Sequence, residues 1–160
     1  MAVDMFIKFD GIDGESKDDK HKGEHDVLAW SWGMSQSGSA HIGGGGGSGK
    51  VDMQDLSFTK YIDKGSPDLM LNCCQGKHID KATLTVRKAG GDPLEYLKIA
   101  MEEVIITSVS TGGSGGEDRL TENITLDFAK VKVDYKEQTE KGTVGATPKM
   151  GWDIQANKKI

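Results

Sequence analysis

Three short patterns in this chain carry residue types that could do chemistry, and each needs a local structure that its neighbours deny. Gly44 to Lys50 spells G-x-x-x-x-G-K, the outline of a phosphate-cradling loop, but the hydroxyl position that should hold magnesium is Val51 and no helical pattern follows. The same glycines satisfy G-x-G-x-x-G, as any glycine run does, with no βαβ unit around them. Gly112 to Gly116 (GGSGG) satisfies the nucleophile-elbow pattern around Ser114, yet the elbow must open a helix, and GEDRLTENITL reads as a strand. His21 to His25 (HKGEH) fits H-x-x-E-H, a zinc-protease pattern that works only when a helix turns both imidazoles to one face. Gly23 and the charged residues around it argue for a polar loop. His21, His25, His41 and His78 therefore read as solvated side chains rather than ligands. Glu102 and Glu103 cannot share acid and base duties, because neighbours on a strand point to opposite faces.

The elements that would have to position such residues are mostly strands. In LTENITLDFAKVKVDY, Leu120, Ile124, Leu126 and Phe128 share one parity while Thr121, Asn123, Thr125 and Asp127 share the other, the mark of a half-buried strand. After Ala129 and Lys130 the apolar parity passes to Val131, Val133 and Tyr135. A bulge or strong bend there would restore one buried face, and such a kink is how antiparallel sheets curl into barrels. MFIKF, DVLAWSWGMSQ, LSFTKYI, ATLTVRKA, EEVIITSVS and MGWDIQA read as the remaining strands. One short helix is expected in SPDLMLNCCQG, with Ser66 as N-cap, Pro67 at the first helical position, Asp68 complementing the dipole and Gly76 ending it. Pro93 to Val104 has helix-compatible spacing at Leu94, Leu97, Met101 and Val104, while the β-rich run Val104 to Val109 pulls towards strand.

Composition narrows the function classes. A chain of 160 residues suits one domain that buries roughly 70% of its unfolded surface. A net charge of −5 with scattered basic residues argues against nucleic acid or an anionic membrane as partner. No segment is long and apolar enough to span a bilayer, and MAVDMFIKFDGIDGE lacks the basic start and apolar run of a Sec signal. Cys73 and Cys74 are adjacent and leave no disulfide framework, as expected of folding in a reducing compartment. No cofactor or metal is implied.

The stretch from Asp26 to Lys50 stands apart. Leu28, Trp30, Trp32 and Met34 share a parity that could fill a barrel interior, which leaves Val27, Ala29, Ser31 and Gly33 as a small, uncharged opposite face. Solvent-facing strands usually carry Lys, Glu or Thr, so a smooth face of this kind invites close contact. Residues 37 to 50, mostly glycine, serine and small side chains, form an extended loop of the length that is functional or disordered in a compact domain.

DVLAWSWGMSQSGS, QDLSFTKYIDK, TLTVRKAGG and STGGSGGEDRLTEN, in this order, resemble the haemolysin-coregulated protein (Hcp) family, the tube subunit of bacterial type VI secretion. The resemblance runs from about Met5 to Trp152. It implies a mainly β, tail-tube-like fold, two packed antiparallel sheets forming a β-barrel with one short flanking helix, and strand rather than helix over Leu94 to Val109. It also implies a homohexameric ring with a wide pore, stacking of rings into a tube, export of the folded protein, and small effector proteins bound in the lumen. No fused toxin domain is expected.

The expectation is thus a structural and carrier protein, not an enzyme, with 1–160 as a single domain, an extended loop at 37–50 and a polar loop at 136–149 before the C-terminal strand. Its partners would be itself, the type VI spike and sheath components, and small effectors. It would sit in the bacterial cytoplasm before firing and be secreted without a Sec signal. If Trp30 and Trp32 point inward, Ala29, Ser31 and Gly33 face the lumen. Ring stacking would use Gly43, Gly44, Gly45, Gly46 and Gly47 of the long loop, the turn Ala89, Gly90, Gly91 and Asp92, and Gln155 and Asn157 near the C-terminus. The alternative is a self-contained β-barrel binding module or secreted hydrolase that uses the glycine loops around Ser48 or Ser114.

Overall fold

The computed structural model describes residues 3–38, 49–90 and 93–160. The strands are β1 (Val3–Phe9), β2 (His25–Ser31), β3 (Met34–Ser35), β4 (Asp52–Met53), β5 (Leu56–Tyr61), β6 (Ile79–Lys88), β7 (Glu95–Gly112), β8 (Thr121–Tyr135), β9 (Lys149–Asp153) and β10 (Lys158–Lys159), with one helix, α1 (Ser66–Gln75), between β5 and β6. The main sheet runs β10-β9-β8-β5-β2-β1-β6-β7, and an additional β7–β8 pairing closes β1, β2, β5, β8, β7 and β6 into a six-stranded antiparallel barrel. The packed sheets read from the sequence are walls of this one closed sheet. β8 closes the sheet by pairing with β7 along one edge and, through residues 121–126, with β5 along the other, where 130–134 go on to hold β9. Strand, not helix, is found across Glu95–Gly112, because the long-range β6 and β8 pairings outweigh the local helical spacing of Leu94 to Val104.

The parity switch read in β8 is one part of a crease across three strands. Met101 and Val104 are both buried on β7, Val131 and Phe128 on β8, Ala82 and Ile79 on β6, and these residues pair with one another: Met101 with Val131 and Ala82, Val104 with Phe128 and Ile79. Between them lie the two-residue steps Glu102–Glu103, Ala129–Lys130 and Asp80–Lys81. Glu103 absorbs the geometry with φ of +54°, in the left-handed region that a residue with a Cβ seldom occupies. The inner surface stays apolar on both sides of the bend.

The core comprises Ile7, Phe9, Leu56, Phe58, Leu84, Ile99, Ile106, Ile124 and Leu126 among others, with Leu69 of α1 fully buried against it. Strict alternation makes Leu56, Phe58 and Lys60 the inward residues of β5, and Lys60 is as buried as the two hydrophobes. At the helix start Ser66 is the first helical residue and Gly65 the cap, so Ser66 does not cap α1 as expected. Its hydroxyl instead accepts from the Asp63 amide at 2.9 Å and donates to Glu122 at 2.8 Å. Gly76 ends the helix at φ of +60° as the sequence indicates. Cys73 packs against the core and Cys74 is exposed, both as free thiols.

Two of the histidines depart from expectation. His21 and His25 are buried where the long β1–β2 connection runs into β2, not solvated, whereas His78 is exposed as expected. His21 lies between Glu24 and Glu95, 2.7 Å from each, and stacks on Phe6 at 4.4 Å. Arg87 extends the clasp by binding Asp18 through two nitrogens. His25 meets Asp63 and the carbonyl of Ile12, each at 3.1 Å, in a pocket so tight that a Cβ on Gly65 would fall 2.7 Å from the ring. The connection is polar in composition, but these partners let its imidazoles leave water.

Candidate functional surface

Around an all-antiparallel barrel, connections alternate between two ends. The β1–β2 strap, α1 and the β7–β8 hairpin loop leave from one end, while the β2–β5 arm, the β6–β7 turn and the segment after β8 leave from the other. The arm is the short β3–β4 pair, Met34 against Met53 and Ser35 against Asp52, which continues β2 and β5 past the barrel wall. Ala89 and Gly90, with φ of +145° at Gly90, share the arm's end, both exposed. Gln155 and Asn157 are exposed in the β9–β10 turn, where Ile154 bonds to Ala129 midway along β8, and so are not brought together with Ala89 and Gly90. Gly43 to Gly47, Ser48, Gly91 and Asp92 lie outside the described residues, as does His41.

The wall built by β2, β5, β8 and β7 carries the most distinctive surface. Two cross-strand rows run over it: Ala29 pairs with Thr59, Thr59 with Asn123 and Asn123 with Ser110, and Ser31 pairs with Ser57, Ser57 with Thr125 and Thr125 with Ser108. Directly paired residues share a face, so these eight small, uncharged side chains form one grid on the outside of the barrel. A shallow groove of about 420 Å³ lies over it, bounded by Ala29, Ser31, Ser57, Thr59, Asn123 and Thr125. Among the described residues, charge stands at its borders, with Asp127 beyond one row, Asp55 beneath Thr107, and Asp26 near Arg119, which is laid over the Tyr61 ring at 3.7 Å.

Two bulges create the grid. On β2 the register shifts between Val27 and Ala29, so Leu28 is the extra residue, 41% exposed, and Val27 is buried. This corrects the simple alternation read along Leu28 to Met34: Val27 belongs to the interior, Leu28 does not, and Met34 is exposed on the arm. Trp30 and Trp32 do pack against the core, and Trp32 donates from Nε1 to the Gln54 carbonyl at 2.9 Å. Ala29 and Ser31 consequently point outward as expected. Gly33 is displaced from them into the arm, where its carbonyl accepts from the Gln54 amide. The second bulge, at Thr107 on β7, sets both Thr107 and Ser108 against the Thr125 hydroxyl at 2.6 Å.

The sequence pointed to the β2 part of this surface and to the polar parity of β8, but not to their union. Ser57, Thr59, Ser108 and Ser110 were missed because nothing local says which strands become neighbours. Their hydroxyls repeat at two-residue spacing on β5 and β7, and that was the available signal.

A second constellation is internal. Lys60 Nζ lies 2.6 Å from Glu122 and 3.0 Å from Asp63, and also donates to the Tyr61 carbonyl. Burial pushes the Asp63 carboxyl up, but the bond from Lys60 and the charges of His25 and Lys60 hold it below its ordinary value. This cluster joins β2, β5, β8 and the start of α1 with paired charges, so its evident chemistry is structural. Among the described residues no group of three or more His, Cys, Asp or Glu is placed to hold a metal. Ser114 sits in the β7–β8 hairpin loop with its hydroxyl on the Gly116 amide, and a strand follows it, so the elbow geometry is not formed.

Fold and surface together define a small closed antiparallel barrel with one end helix, a short two-stranded arm and an uncharged sheet face. A family model described as type VI secretion system effector, Hcp, matches residues 6–135, and the chain belongs to that family. Protein hcp1 of Pseudomonas aeruginosa is 64% identical over 159 residues, covering 98% of each chain. The crystal structure of Hcp1 from Salmonella typhimurium superposes with a TM-score of 0.84 at 46% identity over the whole of both chains. A solved type six secretion system protein reaches a TM-score of 0.92 at 33% identity, covering 99% of this chain and 100% of the other. The protein is accordingly a secreted protein of type VI secretion. No helix among the described residues is long and apolar enough to cross a membrane.

Proposed function

We propose that the chain is a structural subunit that assembles as a homohexameric ring, that rings stack into a tube, and that small effector proteins travel in the bore. The observation that carries this reading is the eight-residue neutral grid on an outer wall of the barrel. An isolated barrel gains little from such a face, whereas a pore wall of small side chains stays wide and does not trap charged cargo. Heterologous ring contacts need two unlike surfaces on each subunit, and exposed apolar side chains occur at Val3 and Leu28 on β1–β2 and at Tyr135 and Met150 on β8–β9. The spike and sheath components of the secretion machine are the remaining partners. The ring resides in the bacterial cytoplasm until firing and leaves folded.

Native mass in solution tests the ring. A sixfold mass at micromolar concentration and moderate salt is expected, and a species with the mass of one or two chains would defeat the proposal. Ser31→Glu places a charge in the grid and should leave the hexamer intact while reducing effector binding. Loss of the hexamer would instead place this wall at a subunit interface.

A further inference from the structure

The grid contains one side chain able to select what it binds. Thr59 donates its hydroxyl proton to Asn123 Oδ1 at 2.6 Å, and the two residues are direct cross-strand partners. That bond holds the amide by its oxygen, and the NH2 group of this exposed side chain, with two donors, makes no hydrogen bond among the described residues. Thr125 is already engaged by both Thr107 and Ser108. Asn123 is therefore the largest polar group of the grid and its only amide, held in one orientation by a neighbour. Charged groups around the face, Asp26, Asp55, Asp127, Glu117 and Arg119, stand at its borders or in the adjoining hairpin loop.

We infer that Asn123, positioned by Thr59, is the cargo-selecting donor of this wall, and that it takes folded proteins presenting uncharged carbonyl acceptors, such as exposed backbone carbonyls and Asn or Gln amides, rather than charged patches. The inference rests on the lumen reading of the grid. A ring would offer six such amides at one level, so a weak contact repeated on one cargo gains through effective concentration. Recognition by neutral hydrogen bonds is also insensitive to salt, unlike recognition by exposed ion pairs.

The test uses one purified small effector protein of type VI secretion, fluorescently tagged, titrated with the ring at about 0.1 M and about 1 M salt, on either side of the range where screening removes exposed charge pairs. The unaltered ring should bind it with an affinity that changes by less than about twofold across that range. Asn123→Ala and Thr59→Val should each weaken binding about tenfold, the size expected when a neutral bond is lost at more than one subunit, with the native mass unchanged. Thr59→Ser, which keeps the donor, should restore binding. Tight binding by Thr59→Val, or binding that collapses at high salt, would overturn the inference while leaving the carrier function standing. Failure of the unaltered ring to bind would remove the carrier function and the inference with it, and loss of the hexamer on Asn123→Ala would reassign the wall to subunit contact.

Discussion

Lys60 Nζ and Glu122 Oε1 lie 2.6 Å apart with both side chains wholly excluded from solvent, each pointing inward from a strand whose other inward residues are apolar. Burying two charges costs several kcal/mol apiece, and the site offsets this by surrounding the ammonium with Glu122, Asp63 and the Tyr61 carbonyl. The pair stitches β5 to β8 beside the start of α1, where Ser66 also donates to Glu122.

Removing one partner should therefore be far worse than removing both. Lys60→Met is expected to cost about 3–5 kcal/mol, because Glu122 is left buried and unpaired, whereas Lys60→Met combined with Glu122→Leu should recover most of that loss. Denaturant unfolding of the single and double variants at one protein concentration checks this. A double variant no more stable than the single would show that the pair does more than balance its own charge.

Acid should loosen the same region. The Asp63 carboxyl titrates below its ordinary value near 3.8 in the folded protein, so its contribution is fully present above that value and is lost as pH falls through the lowered folded value. Stability should stay level with respect to this group from neutral pH down to about pH 5 and fall below about pH 4. Asp63→Asn should flatten that acid limb at the cost of lower stability near neutrality. Equal slopes for the two proteins in acid titrations followed by circular dichroism would argue against Asp63 as a source of the acid sensitivity.

Glu103 holds a left-handed backbone at the crease of β7, with φ of +54°. Glycine carries no steric penalty there and a β-branched residue carries more, so Glu103→Gly should be neutral or stabilising by up to about 1 kcal/mol and Glu103→Val should destabilise by about 1–2 kcal/mol. Thermal unfolding of both variants gives the comparison. Equal stability in the two would mean that the strand relaxes its bend at little cost.

The barrel arm offers a test of stacking. The arm that carries the loop Gly38 to Lys50 leaves the same end of the barrel as Ala89 and Gly90, the end at which one ring would meet the next. Replacing Gly43 to Gly47 with a two-residue turn should keep the hexameric mass while shortening or abolishing tubes in negative-stain images. Tubes of unchanged length would remove this loop from the contact.

Much of the architecture was readable along the chain. The helix at Ser66–Gln75 with its Gly76 terminus, the parity switch after Phe128, the strand nature of most apolar runs and the absence of a helix after Ser114 all follow from side-chain period and backbone preference, which act over a few residues. The outward direction of Ala29 and Ser31 was legible too, because two tryptophans on alternate positions must go inward. What only the tertiary structure decided depends on which strands become neighbours. The register slip at Leu28, the crease shared by β6, β7 and β8, and the assembly of Ser57, Thr59, Asn123 and Ser110 beside Ala29 are set by pairings between residues far apart in sequence. The same holds for Lys60, His21 and His25: polar residues that composition alone sends to the surface are buried because the carboxylates of Glu122, Glu95 and Asp63, tens of residues away in the chain, meet them within hydrogen-bond reach.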